Sequence, residues 1–267
     1  MELRPPAVAG LFYPANAQKL TGLVDQLLDG VVAPGLAPKA MILPHAGYRY
    51  SGPMAALGYA TLPAAAARIR QVVLLGPCHR VGLPAMALPG VDAMATPLGD
   101  VPVWAEGVAM ASRFEQVVVA PEVHAEEHSL EVHLPFLQRT LPQAPVLPLA
   151  VGWVSPDEVA EVLDAIWGGP ETLVIASSDL SHFHSYSQAK VIDQQTVGQI
   201  LKLGPPLDHD QACGAGPING LMVVAASRSA QPTLVGLCSS GDTSFDHSRV
   251  VGYACIRFDE PEALVPD

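Results

Sequence analysis

The sequence predicts one α/β domain with a central, largely parallel or mixed sheet that is flanked by helices. Hydrophobic residues make up 49% of the chain and charged residues 15%, so the chain can bury a large core and is neither disordered nor fibrous. Short apolar runs alternate with longer helical patterns, which is typical of βα units. No linker or shift in composition divides the 267 residues, and we therefore assign residues 1–267 to a single domain.

Continuous apolar runs indicate the strands. A strand that helices cover on both faces lacks the polar alternation of a half-exposed strand. Four runs of this kind are predicted as buried strands, at residues 40–43, 71–75, 172–176 and 233–237. Two further candidates lie at 116–120 and 146–151, and a strand over 250–258 is expected to close the sheet.

Capping residues mark the helix boundaries. Ser155 and Glu158 form a capping-box pattern with Pro156 in the first turn, and Gly168 follows the apolar stripe, so a helix is predicted between them. Two more helices are predicted over residues 16–28 and 188–203. The inward face of the last helix is expected to hold Val191, Ile192, Ile200 and Leu201.

Charge and cysteine usage exclude several classes of protein. The formal net charge is −12, whereas nonspecific binding to nucleic acid or to an anionic membrane surface needs a basic patch. The four cysteines form no CxxC pair, which indicates reduced thiols. The N-terminus lacks the apolar core of a signal peptide, and no run reaches the roughly 18 apolar residues of a membrane-spanning helix. A cytoplasmic protein is expected.

Polar side chains follow four of the predicted strands. His45 follows the first, His79 the second, Asp179 and His182 the third, and Asp242 the fourth. In open α/β sheets the ligand site lies at the carboxyl ends of the strands. We therefore expect these turns to converge on one crevice, which the neighbouring Tyr48 and Cys78 would also line.

These residue types suit metal-assisted chemistry. Two imidazoles and one carboxylate form the ligand set of many non-haem Fe(II) enzymes, but similar donors hold Zn, so the residues leave the metal open. Asp179 or His182 would be free to move protons beside the metal. No GxSxG elbow follows a strand, which excludes a serine hydrolase, and the glycine-rich turn at 214–217 lacks a P-loop lysine.

A second polar cluster occupies residues 124–136. His124 and His128 have i, i+4 spacing, but an alanine follows His124, which excludes a zinc-protease motif. His124 is expected to face solvent at the start of a helix. His128, Glu131 and His133 lie within an apolar stretch and need polar partners there, so we expect them to line the crevice opposite the metal.

At these residues the sequence resembles the Memo family, the B component of the AmmeMemoRadiSam set. The resemblance implies a fold related to class III extradiol dioxygenases, with His45 and His79 at the metal positions. It also implies that Asp179 and His182 are the acid/base pair. The blocks that carry it are residues 4–14, 44–48, 76–79, 127–136, 177–182, 240–243 and 248–253.

The third metal ligand departs from the pattern of some family members. Those members place a cysteine before the closing strand, at the position of Thr243 when counted back from Tyr253. Asp242 is the adjacent residue able to bind a metal, and the preceding Gly241 frees the backbone to turn its carboxylate toward the sheet edge. Asp242 is therefore the expected ligand, with Thr243 or Cys238 as alternatives.

The resemblance implies a metal-binding protein with non-haem iron redox or dioxygenase-like chemistry on a small, unidentified substrate. Fe(II) is the expected cofactor, with Zn, Mn or Cu as alternatives. A non-catalytic protein that binds a peptide or a partner enzyme in the same crevice is the second hypothesis, and a zinc hydrolase is the third. The resemblance also implies association with a radical SAM protein and an AMMECR1-like protein.

Overall fold

A computed structural model describes residues 2–32, 35–244 and 246–261. Its strands are β1 (Leu3–Arg4), β2 (Ala40–Leu43), β3 (Gln71–Pro77), β4 (Met86–Leu88), β5 (Ala93–Thr96), β6 (Gly99–Pro102), β7 (Val117–Val119), β8 (Val146–Val151), β9 (Thr172–Ser177), β10 (His182–His184), β11 (Gln231–Ser239) and β12 (Val250–Asp259). Its helices are α1 (Ala17–Asp29), α2 (Tyr48–Tyr59), α3 (Ala105–Ala111), α4 (Pro121–Ala125), α5 (Leu134–Thr140), α6 (Pro156–Ala165), α7 (Tyr186–Leu201), α8 (Ala215–Ser227) and α9 (Ser240–Ser244). Every predicted strand and helix is present.

The main sheet is mixed, as the sequence allowed. Its strand order is β10-β12-β2-β9-β3-β8-β4-β7, and β11 also pairs with β12. The central strands β2, β9, β3 and β8 are parallel, whereas β12 is antiparallel to β2 and β4 is antiparallel to β8. A smaller sheet has the order β1-β5-β6. These observations confirm an α/β fold.

Two hydrophobic cores cover the two faces of the main sheet. Met41 and Leu43 of β2 enter one core, and Ala40 and Ile42 enter the other, because successive side chains of a strand point to opposite faces. Helices α1, α2 and α5 contribute to the first core, and α6, α7 and α8 contribute to the second. Burial on both faces explains why these strands read as continuous apolar runs.

Local capping sets the helix ends, but packing sets which face is buried. Ser155 and Glu158 form the predicted capping box at the start of α6. In α7 the expected inward position of Val191 is wrong, since Val191 is 55% exposed while Ile200 is buried. The helix instead turns Asp193 inward, where its carboxylate accepts the Ser181 backbone N–H. Within the described ranges, none of the helices has the length and apolar character needed to cross a membrane.

Three adjacent parallel strands bring polar residues to one edge of the sheet. Strands β2, β9 and β3 are neighbours, and their carboxyl ends lead into His45, Asp179 and His79. Strand β11 runs in the same direction as β2, because each of them is antiparallel to β12. Its end therefore reaches the same edge, but β12 separates it from β2.

Candidate metal centre

Three imidazoles converge at the carboxyl ends of β2 and β3. His45 follows β2, His79 follows β3, and His128 comes from the loop after α4. One ligand atom of each lies within 4.8 Å of the others, so these three residues form a group that could hold a metal ion. The ring centroids of His79 and His128 are 4.6 Å apart, and those of His45 and His79 are 5.1 Å apart.

A buried serine fixes the tautomer of His45. The Ser177 hydroxyl donates its hydrogen to the carbonyl oxygen of Ser129 at 2.6 Å. The same oxygen lies 2.7 Å from Nδ1 of His45, so it accepts a hydrogen bond from that nitrogen. The proton of His45 is therefore on Nδ1, and Nε2 carries a lone pair that faces Sγ of Cys213 at 3.2 Å.

This arrangement extends into the core through a second imidazole. Nε2 of His133 is 2.8 Å from the Ser177 hydroxyl oxygen. Because the hydroxyl hydrogen is already donated to Ser129, this nitrogen donates to the oxygen. Nδ1 of His133 then accepts from the Tyr59 hydroxyl, also at 2.8 Å. We call Tyr59, His133, Ser177 and His45 the serine relay. It holds His45 in one orientation, because the Tyr59 and Ser177 hydroxyls, both nitrogens of His133 and Nδ1 of His45 are all hydrogen-bonded within it or to Ser129.

A carboxylate holds His79 in a similar way. Nδ1 of His79 donates to Glu127 at 2.9 Å, and the backbone N–H groups of His128 and Ser129 donate to the same carboxylate oxygen. Burial raises the pKa of Glu127, but hydrogen bonds from His79 and Ser129 outweigh this effect and lower the pKa to about 2. Glu127 is thus ionised and leaves Nε2 of His79 free for a ligand.

The site favours neutral imidazoles. Burial, together with the nearby imidazoles, holds the pKa of His45 well below its usual value, and burial lowers the pKa of His128 to about 4. Because metal binding requires neutral imidazole, these side chains are ready for a metal ion at neutral pH. The donors and their hydrogen-bonding partners therefore fit a metal centre.

A cavity of about 500 Å³ adjoins the group at His79. The loop after β8 supplies Trp153, which is 72% exposed at the rim. Cys78 and Cys213 also line the cavity, as does the first turn of α8. A small molecule could therefore approach the imidazole group from this side.

The predicted acid/base residues lie near the group but do not pair with each other. The Asp179 carboxylate accepts the backbone N–H groups of His45, at 2.9 Å, and of Ala46. Burial raises the pKa of Asp179 to about 7 despite these hydrogen bonds. The half-buried His182 is hydrogen-bonded to the Leu180 backbone, and burial lowers its pKa.

The structure does not bring Asp242 into the imidazole group. Its carboxylate accepts from the Tyr186 hydroxyl at 2.6 Å and from the Ser239 backbone N–H at 2.7 Å. With Cys238, it lines a separate cavity of about 380 Å³. The hydroxyl of Thr243 donates to the carbonyl oxygen of Ser240. His128, which was expected only to line the pocket, occupies the third position of the group.

Two expected pocket residues lie in the packed interior. The Tyr48 hydroxyl donates to the carbonyl oxygen of Val132 at 2.6 Å, in a buried environment. Glu131 is also fully buried and pairs with Arg4, and it holds the N-terminal segment by accepting from Ala7, Val8 and Tyr13. Their polar atoms therefore hold the fold together behind the imidazole group.

The expected exposure of His124 is wrong. This imidazole is 1% exposed, and its Nε2 lies 2.9 Å from the carbonyl oxygen of Ala87 in β4. Helix α4 packs against that strand, so the side chain faces the interior instead of solvent.

Sequence reasoning gave no role to Glu127, Ser177 or Cys213. Glu127 and Ser177 lie in blocks that were singled out, beside His128 and Asp179, and this adjacency was the available signal. Cys213 precedes a glycine-rich turn that was interpreted as isolated. Only the packing of α8 brings its sulfur to the edge of the sheet.

Comparisons with known proteins agree with this architecture. The family model described as Memo-like protein matches residues 4–257. A MEMO1 family protein of Ignicoccus hospitalis is 34% identical over 286 residues, covering 98% of this chain and 100% of the relative. MEMO1 family proteins of Methanosarcina acetivorans and Archaeoglobus fulgidus are 35% and 33% identical, each covering 96% of this chain and 99% of the relative. The chain belongs to the Memo family.

Proposed function

We propose that this protein is a metal-dependent enzyme that uses non-haem iron for redox or dioxygenase-like chemistry on a small molecule. The observation that supports this proposal is the group of three imidazoles whose ligand atoms lie within 4.8 Å of one another. Ser177 and Glu127 hold the outer nitrogens of two of them, which is the support that ligating histidines need.

His45, His79 and His128 would hold the ion. When bound, Fe(II) would supply one-electron chemistry and open coordination positions for dioxygen or substrate. The adjoining cavity would orient the substrate against His79, with Trp153 covering its rim. His182, half-buried and outside the group, would donate or accept a proton.

The same geometry supports zinc-dependent hydrolysis as a second candidate function. Three imidazoles are a known ligand set of catalytic zinc, which lowers the pKa of a bound water. Here the group contains three imidazoles and no carboxylate, which favours this candidate more than the sequence alone did.

Metal analysis of protein purified without oxygen or chelator tests both candidates. Bound iron, with oxygen uptake on addition of a catechol, is expected for the first. Bound zinc, with esterase or amidase activity, would instead support zinc-dependent hydrolysis and contradict the iron-dependent candidate. His79→Ala serves as the control in each assay, because it removes a donor from the group. A folded protein that takes up neither metal and binds a peptide in this crevice would contradict both.

A further inference from the structure

An exposed tryptophan stands on the rim of the cavity that adjoins the imidazole group. The chain has three tryptophans, of which Trp167 is fully buried and Trp104 is half-buried, whereas Trp153 is 72% exposed. Tryptophan is highly buried on average, because its ring removes a large apolar area from water. An indole held in solvent at the mouth of this cavity is therefore a feature that packing alone does not explain.

Backbone contacts fix the position of this residue. The N–H of Trp153 donates to the carbonyl oxygen of Leu83 at 2.7 Å, and the N–H of Gly152 donates to that of Ala85 at 3.0 Å. A Cβ atom at Gly152 would lie 2.0 Å from the Leu83 carbonyl oxygen, so only glycine lets the two segments approach this closely. The loop after β8 is thus tied to the chain before β4, and Trp153 is attached to a well-anchored backbone.

The indole itself lies against a second glycine. A Cβ atom at Gly82 would lie 2.5 Å from the nearest carbon of the six-membered ring of Trp153, and 3.1 and 3.2 Å from the two neighbouring ring carbons. A side chain at position 82 would therefore push the ring away. With glycine there, the indole rests on the segment that follows His79, and both residues line the same cavity.

Much of the cavity lining is apolar or is already hydrogen-bonded within the protein. The Asn219 amide binds the backbone of Leu207, and the Asp208 carboxylate accepts two backbone N–H groups from the turn that follows it. The apolar side chains that line the cavity together with the indole are Leu83, Val151, Val154, Leu207 and Pro217. A volume of about 500 Å³ is within the range of small-molecule pockets and admits a single ring or a fused pair of rings.

We propose that the substrate of the metal centre carries a planar aromatic ring, and that Trp153 determines this specificity by stacking on it. The proposal rests on the proposed function, in which a polar group of the same molecule would reach the metal ion beside His79. An offset stack with an indole favours a flat π-system over a saturated ring of equal carbon number. An indole also attracts cations, but the metal ion and Arg80, whose charge acts on His128, would repel a cationic ligand.

Ligand-detected NMR titration of the metal-free protein tests the stacking separately from the metal. The probes are 2-naphthoate and its fully hydrogenated counterpart, decahydro-2-naphthoate, which share one carbon skeleton and one carboxylate. Trp153→Leu is expected to weaken the binding of 2-naphthoate about three- to tenfold and to change that of the hydrogenated probe by less than about twofold. Trp153→Phe should restore most of the loss. Gly82→Ala should weaken 2-naphthoate binding as Trp153→Leu does, because its Cβ would displace the indole.

Phe183→Leu is the matched control, because Phe183 is an aromatic residue that is 61% exposed and lies outside the cavity lining. It should bind both probes as the wild type does. Circular dichroism checks that each variant folds, which is expected because Trp153 is exposed.

Three results would overturn the proposal. One is equal affinity of the wild type and Trp153→Leu for 2-naphthoate, and another is an equal loss of both probes, since the indole would then only cover apolar surface. The third is a wild type that binds neither probe. None of these results depends on metal uptake. If 2-naphthoate binds through Trp153 but the protein takes up no metal, the proposed function fails and the aromatic site stands.

Discussion

Two regions at the same edge of the sheet differ in what they offer to a ligand. The ends of β2, β9 and β3 lie side by side and bring His45 and His79 together, with His128 from a loop. The end of β11 carries Asp242 to the same edge, but β12 separates it from β2. Strands in a sheet are about 4.8 Å apart, so one intervening strand is enough to remove a short carboxylate from a metal ligand set.

The two regions also differ in their hydrogen bonds. In the imidazole group, Ser177 and Glu127 bind the outer nitrogens and leave the inner ones unprotonated. At Asp242 both carboxylate oxygens already accept protein hydrogen bonds, one from Tyr186 and one from Ser239. The imidazole group therefore keeps an unprotonated nitrogen on each of the two held rings, whereas each oxygen of Asp242 already accepts a hydrogen bond.

The largest effect is expected from removing a member of the imidazole group. His79→Ala should weaken Fe(II) or Zn binding by more than about 100-fold, because even outer-shell partners contribute 10–100-fold. The melting temperature of the metal-free protein should change little, because His79 is partly exposed at the sheet edge. Anaerobic metal titration and thermal denaturation measure the two quantities. Stoichiometric metal in this variant would place the site elsewhere.

A smaller loss of metal affinity is expected when the carboxylate that holds His79 is replaced. Glu127→Gln should weaken metal binding by about 10–100-fold, since an amide is a poorer acceptor for the imidazole N–H. The adjacent, exposed Glu126→Gln is the matched control and should bind as the wild type does. Equal affinities in both variants would contradict the role of Glu127.

Acid should destabilise the metal-free protein through its buried imidazoles. Burial lowers the pKa of His128 to about 4 and of His133 to about 3, from an ordinary value of 6.5. Their contribution to stability is complete above that value and is lost as the pH falls toward 4 and 3, by up to about 1.4 kcal/mol per pH unit for each group. Burial raises the pKa of Asp179 to about 7, so the stability that this carboxyl contributes is instead lost as the pH rises toward 7.

Urea unfolding between about pH 7 and pH 5 measures this slope. His133→Gln should flatten it. Asp242→Asn should leave it unchanged, because hydrogen bonds from Tyr186 and Ser239 keep the pKa of Asp242 below its ordinary value of 3.8 despite burial. A slope that depends on Asp242 in this range would contradict the difference between the two regions.

Removing the hydroxyl of the serine relay should have a weaker effect on metal binding. Ser177→Ala leaves the N–H groups of His45 and His133 unpaired, so we expect about a tenfold loss of affinity and a loss of about 1–3 kcal/mol in unfolding free energy. Thr140→Val is the control, because it removes a buried hydroxyl that donates to Phe136. Nitrogen NMR shifts of His45 report whether its tautomer changes.

The smallest change in metal affinity is expected from a substitution at the end of β11. Asp242→Asn should change metal affinity by less than about twofold, because its carboxylate is outside the imidazole group and its oxygens are already paired. Loss of metal in this variant alone would restore Asp242 as the third ligand. The same titration as for His79→Ala makes the comparison direct.

The sequence could predict the strands because their patterns are local. Residues 72–75 are all apolar, since both faces of β3 are buried there, and the turn after the strand supplies His79. The order of the strands depends on pairing between distant segments, so the position of Asp242 relative to β2 could not be deduced. The end of β11 lies at the expected edge of the sheet, but β12 stands between β11 and β2.

The contacts of Ser177 and Cys213 depend on three-dimensional detail. Ser177 acts because one hydroxyl meets two imidazoles and the carbonyl of Ser129, which come from separate parts of the chain. Cys213 reaches His45 because Gly214 allows α8 to begin against β9. Neither arrangement has a local sequence signature, since each depends on contacts between segments that are distant in the chain.

The contacts of Glu131 also bear on the order in which the protein is completed during synthesis. Its partner Arg4 lies 127 residues earlier in the chain, and the ring of Phe12, from the same N-terminal segment, packs 4.8 Å from that of His128. Arg4 therefore has no carboxylate of this kind to bind until the 127 residues that separate it from Glu131 have been made. Long-range contacts of this kind form late in folding. We expect the wall of the metal centre to close as a late event, when the N-terminal segment finds Glu131.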